Sequence, residues 1–151
     1  MTTPSIAPVP LSQPYYNAPF GEAVRRFYKK YATFSGRASR AEYWWWALVA
    51  AIVNLVLQTI IQASGVGRLN ADGTMGNPGP VGVLAAIILF VWVLATIVPT
   101  IALTVRRLHD TDRSGWWVFI ALVPLVGGIV LLVFTLSAPV PAGERFDLKA
   151  A

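Results

Sequence analysis

The sequence predicts an all-α membrane protein, with three transmembrane helices preceded by an amphipathic interfacial helix. Three observations carry that expectation. Charged residues make up 13% of the 151 residues, about half the ~25% usual for soluble domains. Uncharged stretches run over 43–67, 73–105 and 114–143. Tryptophans open the first and third of them (Trp44, Trp45 and Trp46; Trp116 and Trp117), and amphipathic indoles favour the headgroup level. So few charges could not cover the apolar surface of a soluble domain this size.

Residues 1–19 contain five prolines and no charge, which predicts a disordered tail. From Phe20, the residues Phe20, Val24, Phe27, Tyr31 and Phe34 recur at spacings of four and three. They form one helical stripe, with Arg25, Arg26, Lys29 and Lys30 off it. A helix over 20–34 with an aromatic face and a basic face suits the membrane interface. Ser39 to Glu42 then matches a capping box, so the helix that carries the first span should begin near Arg40.

About 20 apolar residues span a hydrocarbon core roughly 30 Å thick. On that measure the spans fall at about 44–63, 81–105 and 116–136, within a membrane domain over 20–147 that ends in a short tail, 148–151. The glycine- and asparagine-rich stretch 64–80 reads as a loop. Pro99 should kink the second span. Pro124, Gly127 and Gly128 leave room for a broken or re-entrant third one.

Arginine and lysine orient the chain. Arg25, Arg26, Lys29, Lys30, Arg37 and Arg40 precede the first span, and Arg106, Arg107 and Arg113 lie between the second and third. Arg68, Arg145 and Lys149 fall on the other side of a three-span arrangement. Basic loops resist translocation, so the N-terminus is expected in the cytoplasm and the C-terminus outside. The net charge of +5 is thereby assigned to anionic lipid headgroups at the cytoplasmic face. No nucleic-acid reader motif accompanies it.

The absence of cysteine excludes thiolate metal sites and thiol catalysis. The densest polar run is Arg106, Arg107, His109, Asp110, Asp112 and Arg113. It invites a metal or acid–base role, yet reads more simply as a tight surface loop in which Asp112 or Ser114 caps the third span. Within the spans, Asn54, Gln58 and Gln62 form one polar stripe, and Thr96, Thr100 and Thr104 another. Amides in lipid must turn toward a partner, as packing contacts or as the lining of a solute path. Proton relays and ion pathways usually place an ionisable group at membrane depth, and the three spans hold none. Neither a catalytic constellation nor a metal or cofactor site is expected, and the protein is read as a non-enzyme.

The segments FGEAVRRFYKKYATFSGRASRAEYWWW, PTIALTVRRLHDTDRSGWW and PLVGGIVLLV, with the closing GERF, resemble the bacterial inner-membrane family called Domain of Unknown Function 805. The resemblance covers roughly 20–147 and implies a small multi-span protein of the bacterial inner membrane with no established activity. It supplies motif positions rather than catalytic ones: Gly36, Arg37, Ser39, Arg40, Glu42, Tyr43, Trp44, Arg106, Arg107, His109, Asp110 and Gly115.

The leading functional expectation is a membrane scaffold or interaction protein. Its two charged motifs would pack together, with Glu42 pairing Arg106, Arg107 or Arg113, and a membrane-protein partner or a second copy alongside. The alternative, drawn from the polar stripes, is an oligomeric transporter or channel component for a small neutral solute or lipid. A membrane enzyme using His109 and Asp110 comes third.

Overall fold

A computed structural model describes residues 9–147. The expected tail 148–151 and residues 1–8 of the expected N-terminal tail lie outside the described residues. Helix α1 covers Phe20–Lys29, α2 Arg40–Ala63 and α3 Pro80–Asp110. A 3-10 helix over Gly115–Leu122 precedes α4, Val126–Leu136, and a 3-10 turn over Pro141–Phe146 follows it. Among the described residues the sole extended pairing is an isolated bridge between Leu69 and Met75. The fold is mostly helical, as the long uncharged apolar stretches predict.

Two of these helices are long and apolar enough to cross a membrane, α2 with 24 residues and α3 with 31. Only 6% and 17% of their most apolar stretches are buried within the protein. A core helix of a soluble protein would be mostly buried. Leu48, Ile52, Leu55 and Val56 on α2, and Leu84, Ile87, Phe90, Val91 and Leu94 on α3, are instead exposed and need hydrocarbon around them. Residues 47–98 form one compact unit, and residues 9–46 with 99–147 form the other.

The start of α2 is the expected capping box. The Ser39 amide donates to Glu42 Oε2 at 2.8 Å, and the Glu42 amide donates to Ser39 Oγ at 3.2 Å. Helix α3 runs five residues beyond the expected end of its span, so Arg106, Arg107, His109 and Asp110 sit on its last turns rather than in a loop. Arginine and leucine are good helix formers, and positive charge there complements the helix dipole. The chain leaves α3 through Asp112 at φ 56°, a conformation aspartate tolerates better than most residues.

The stretch 116–136, expected as a single span, is not one helix. Pro124 has no amide to give and disfavours α geometry at Val123, and Leu125 turns the chain at φ 63°. The 3-10 helix and α4 therefore fold into a hairpin. Trp117 near its start meets Phe134 near its end edge-on, at 5.5 Å between ring centroids. In a straight helix those two residues would stand about 25 Å apart. Gly127 makes the fold-back possible, because a methyl there would collide with the Ile120 carbonyl.

Helix α1 stops at Lys29 instead of reaching 34, and its inner face differs from the aromatic stripe. Ala23, Arg26, Phe27 and Lys30 are buried, while Phe20, Tyr31 and Phe34 are exposed. Phe27 stacks on Trp46 with 3.3 Å between ring centroids, which anchors α1 on the first turns of α2. Residues 9–19, expected as part of a disordered tail, make defined contacts. The buried Arg26 guanidinium donates to the carbonyls of Val9, Pro10 and Gln13 and lies over the Tyr15 ring. A proline-rich irregular segment is suited to this, since its carbonyls are not committed to a helix.

Candidate functional site

The charged motifs converge in the unit that holds both ends of the described chain. Asp110, fully buried at the last position of α3, is its hub. One carboxylate oxygen accepts from Tyr16 Oη at 2.7 Å and lies 3.8 Å from Arg37 Nη1. The other is ion-paired to Arg107 Nη1. Arg107 also donates from Nε to the Thr135 carbonyl at 3.0 Å and from Nη2 to the Ser137 carbonyl. That same Ser137 carbonyl accepts from Arg40 Nε at 3.1 Å. Arginine suits this work because its five donors are fixed in a fork. Arg107 thus ties the far end of the hairpin to α3.

The closing segment completes the cluster. Val140 donates from its amide to the Asp110 carbonyl at 3.0 Å. Gly143 packs so close that a Cβ would lie 2.5 Å from the His109 carbonyl. Phe146 stacks flat on His109, with 4.1 Å between centroids, and its carbonyl accepts from the Gly36 amide at 2.9 Å. Arg37 grips Asp147 through Nε and Nη2, at 2.8 and 2.7 Å. That bidentate contact holds the guanidinium even more firmly protonated than usual, despite its partial burial. Tyr16 is pushed up to about 12, first by burial and then by its bond to Asp110.

A second cluster surrounds Glu42, buried at 2% exposure. Its direct ion-pair partner is Arg26, at 3.2 Å, rather than Arg106, Arg107 or Arg113 as expected. Lys30 and Arg106 lie in the same electrostatic neighbourhood, so three buried cations share one buried carboxylate. Arg106 bonds the Ala102 carbonyl through Nε, while Nη2 is buried without a hydrogen-bond partner. Lys30 answers this crowding by releasing its proton easily. Burial, with a contribution from Arg106 and Arg26 that Glu42 opposes, lowers its pKa to about 8.

That shift makes a prediction. An unfolded lysine holds its proton up to about pH 10.4, whereas folded Lys30 loses it near 8. Between those values the unfolded chain binds more protons, so stability rises with pH. Thermal unfolding in detergent should show the midpoint climbing from pH 8 to pH 10. Above that range Tyr16, raised in the fold, pulls the other way. Lys30→Met should raise the midpoint at pH 7 and flatten the slope.

The remaining expected residues fall in three places. Asp112 pairs with Arg145 at 2.8 Å on the surface, and Arg113 lies over the Phe134 ring at 4.0 Å. Ser114 caps the 3-10 helix by accepting from the Trp116 amide. Asn54, Thr96 and Thr104 bond carbonyls four residues back in their own helices, and Thr100 accepts from Trp46 Nε1 at 3.3 Å. Gln58 and Gln62 are exposed. No group of three or more metal-ligating side chains occurs among the described residues. Tyr16, Arg26, Lys30, Phe146 and Asp147 belong to the clusters yet gave no signal of it in sequence, except that the aromatic Phe146 closes the GERF motif.

Comparison with known proteins agrees with the membrane reading. A family model described as "Protein of unknown function (DUF805)" matches residues 31–148. Inner membrane protein YhaI of Escherichia coli (strain K12) is 37% identical over 118 residues, covering 78% of this chain and 86% of that protein. Inner membrane protein YhaH of the same strain is 35% identical over 118 residues, covering 78% and 87%. No solved structure matches the chain.

Proposed function

The chain belongs to the DUF805 family of inner-membrane proteins, and from that premise we propose that it is a non-enzymatic scaffold or interaction protein. One observation carries this reading: Arg37, Arg107 and Asp110 are spent on one another, on Asp147 and Tyr16 and on two backbone carbonyls, which builds a platform instead of facing a substrate. Exposed cations ring it: Arg25 pairs with Glu22, Arg145 with Asp112 and Arg40 bonds the Ser137 carbonyl, and these with Lys29 give the surface positive charge to offer anionic headgroups or a partner's acidic residues.

The proposed membrane placement has two crossings and a re-entrant hairpin. Eight residues of 3-10 helix rise about 16 Å, and eleven of α-helix about the same. That is half of a ~30 Å hydrocarbon core. The hairpin therefore enters and leaves by one face, where α1 lies at the interface with Phe20, Tyr31 and Phe34 toward lipid. This puts position 147 on the same side as Arg37, in place of the opposite side expected from three spans. Arg25, Arg26, Lys29, Lys30, Arg37, Arg40, Arg106, Arg107, Arg113 and Arg145 then share the cytoplasmic side, against Arg68 alone outside. The positive-inside preference is better met than with three crossings.

Because the chain has no cysteine, single cysteines test both parts. Ala142→Cys should react with a membrane-impermeant maleimide only after cells are opened, whereas Asn70→Cys should react in cells with a permeabilised outer membrane. Ala142→Cys labelling alongside Asn70→Cys would restore the third crossing. Arg25→Cys, treated with a bifunctional maleimide in opened membranes, should give a discrete adduct with a second copy or another membrane protein. A monomer band alone counts against the scaffold.

Gln58 and Gln62 favour a second reading, oligomeric passage of a small neutral solute or lipid. Exposed amides on a crossing helix need partners that lipid cannot supply. Gln58→Leu would abolish flux in reconstituted vesicles if that reading holds.

A further inference from the structure

Beside the Asp110 cluster, a crevice of about 440 Å³ lies between the last turns of α3 and the 3-10 arm of the hairpin. Its size falls in the ordinary range for small-molecule sites, roughly 300–1,000 Å³. Ile101 and Val105 form one wall, Val118 and Phe119 the other, with Phe34 and Trp116 at the rim. Polarity is confined to one end, at His109 and Ser114. Ile101, Val105 and His109 are four residues apart on α3, so the crevice follows the helix axis for about 12 Å. One end is polar; the other is apolar.

The chemistry at the polar end is directional. His109 Nδ1 lies 3.0 Å from the Gly36 carbonyl. A carbonyl can only accept, so Nδ1 carries the hydrogen, and in the neutral ring Nε2 presents a lone pair. Nε2 has no hydrogen-bond partner among the described residues, and it sits beside Gly115, where a Cβ would be 3.3 Å away. Flat stacking on Phe146 holds the ring in this orientation. The crevice is thus shaped for an amphiphile that brings a hydrogen-bond donor to His109 and an apolar chain to Ile101 and Phe119.

We infer that the crevice holds one acyl chain of a phospholipid from the cytoplasmic leaflet, with a donor on its headgroup bonded to His109 Nε2. Ethanolamine and glycerol headgroups carry such donors; choline does not. This rests on the re-entrant placement of the hairpin, which brings the crevice to the level of that leaflet.

Native mass spectrometry of the detergent-purified protein tests it, with phosphatidylethanolamine and phosphatidylcholine of identical acyl chains added in turn. One phosphatidylethanolamine should be retained, about five- to tenfold more than phosphatidylcholine, the worth of a single hydrogen bond. His109→Phe keeps an aromatic ring on Phe146 and should erase that preference. Ile101→Trp fills the apolar end without touching His109 and should lower retention of both lipids. Equal retention of the two lipids by the native protein, or undiminished retention by Ile101→Trp, overturns the inference. Labelling of Ala142→Cys in cells separates the two failures. If it reports the cytoplasmic side while lipid is not retained, the crevice assignment alone falls; if it reports the other side, the placement beneath it has fallen.

Discussion

Asp110→Ala is expected to destabilise the protein by about 3–5 kcal/mol, the cost of breaking a fully buried ion pair from one side. Asp110 and Arg107 both have side chains with no exposed surface. Removing the carboxylate leaves a buried guanidinium whose remaining bonds are to two backbone carbonyls. It also strips Tyr16 of its acceptor and Arg37 of its second anion. Unfolding followed by tryptophan fluorescence in detergent, with denaturant titration, should show the loss. The pair Arg107→Met with Asp110→Leu should recover part of it, since apolar replacements leave no uncompensated charge. Recovery will be incomplete, because Arg107 also anchors the hairpin through the Thr135 and Ser137 carbonyls. If the single substitution leaves the midpoint unchanged, the hub is not where the fold is held.

Gly127→Ala should cost about 3 kcal/mol or more, which places it among the severe single substitutions. The obstacle is the Ile120 carbonyl and the Ala121 backbone, which cannot rotate aside as a side-chain tip would. The hairpin would have to open, and Trp117 would lose its contact with Phe134. Its neighbour is the control. A Cβ on Gly128 meets nothing within 4 Å, so Gly128→Ala should stabilise α4 by about 0.5–1 kcal/mol. Limited proteolysis of both variants in detergent separates an opened hairpin from general loss of fold. Equal behaviour of the two would show that the fold-back is not what Gly127 supports.

Patterns complete within one segment are legible in the sequence, and pairings between distant segments are not. The capping box at Ser39 and Glu42 is complete within four residues, and the structure forms both of its bonds. The apolar stretches of α2 and α3 were equally plain, because hydrocarbon-spanning length is a property of one segment. Periodicity showed which residues of α1 share a face, but not which face turns inward. That was decided by Glu42, whose carboxylate gives Arg26 a partner, and by Trp46, which receives Phe27. Tyr16 meets Asp110 across 94 residues and Arg37 meets Asp147 across 110. No local spacing can announce such pairs. For the third apolar stretch, length argued for a crossing and Pro124 argued against one. The close approach at Gly127 favoured the turn.

Arg37 and Asp147 also set a clock. Translation at about 5–20 residues per second separates their synthesis by roughly 6–22 s, since they lie 110 positions apart. During that interval α2 and α3 can already be in the bilayer, so Arg37 can meet Asp110, 3.8 Å away in the fold, before Asp147 exists. The closing segment therefore docks onto a guanidinium that already has one anion beside it, and the bidentate contact with Asp147 is the later of the two to form.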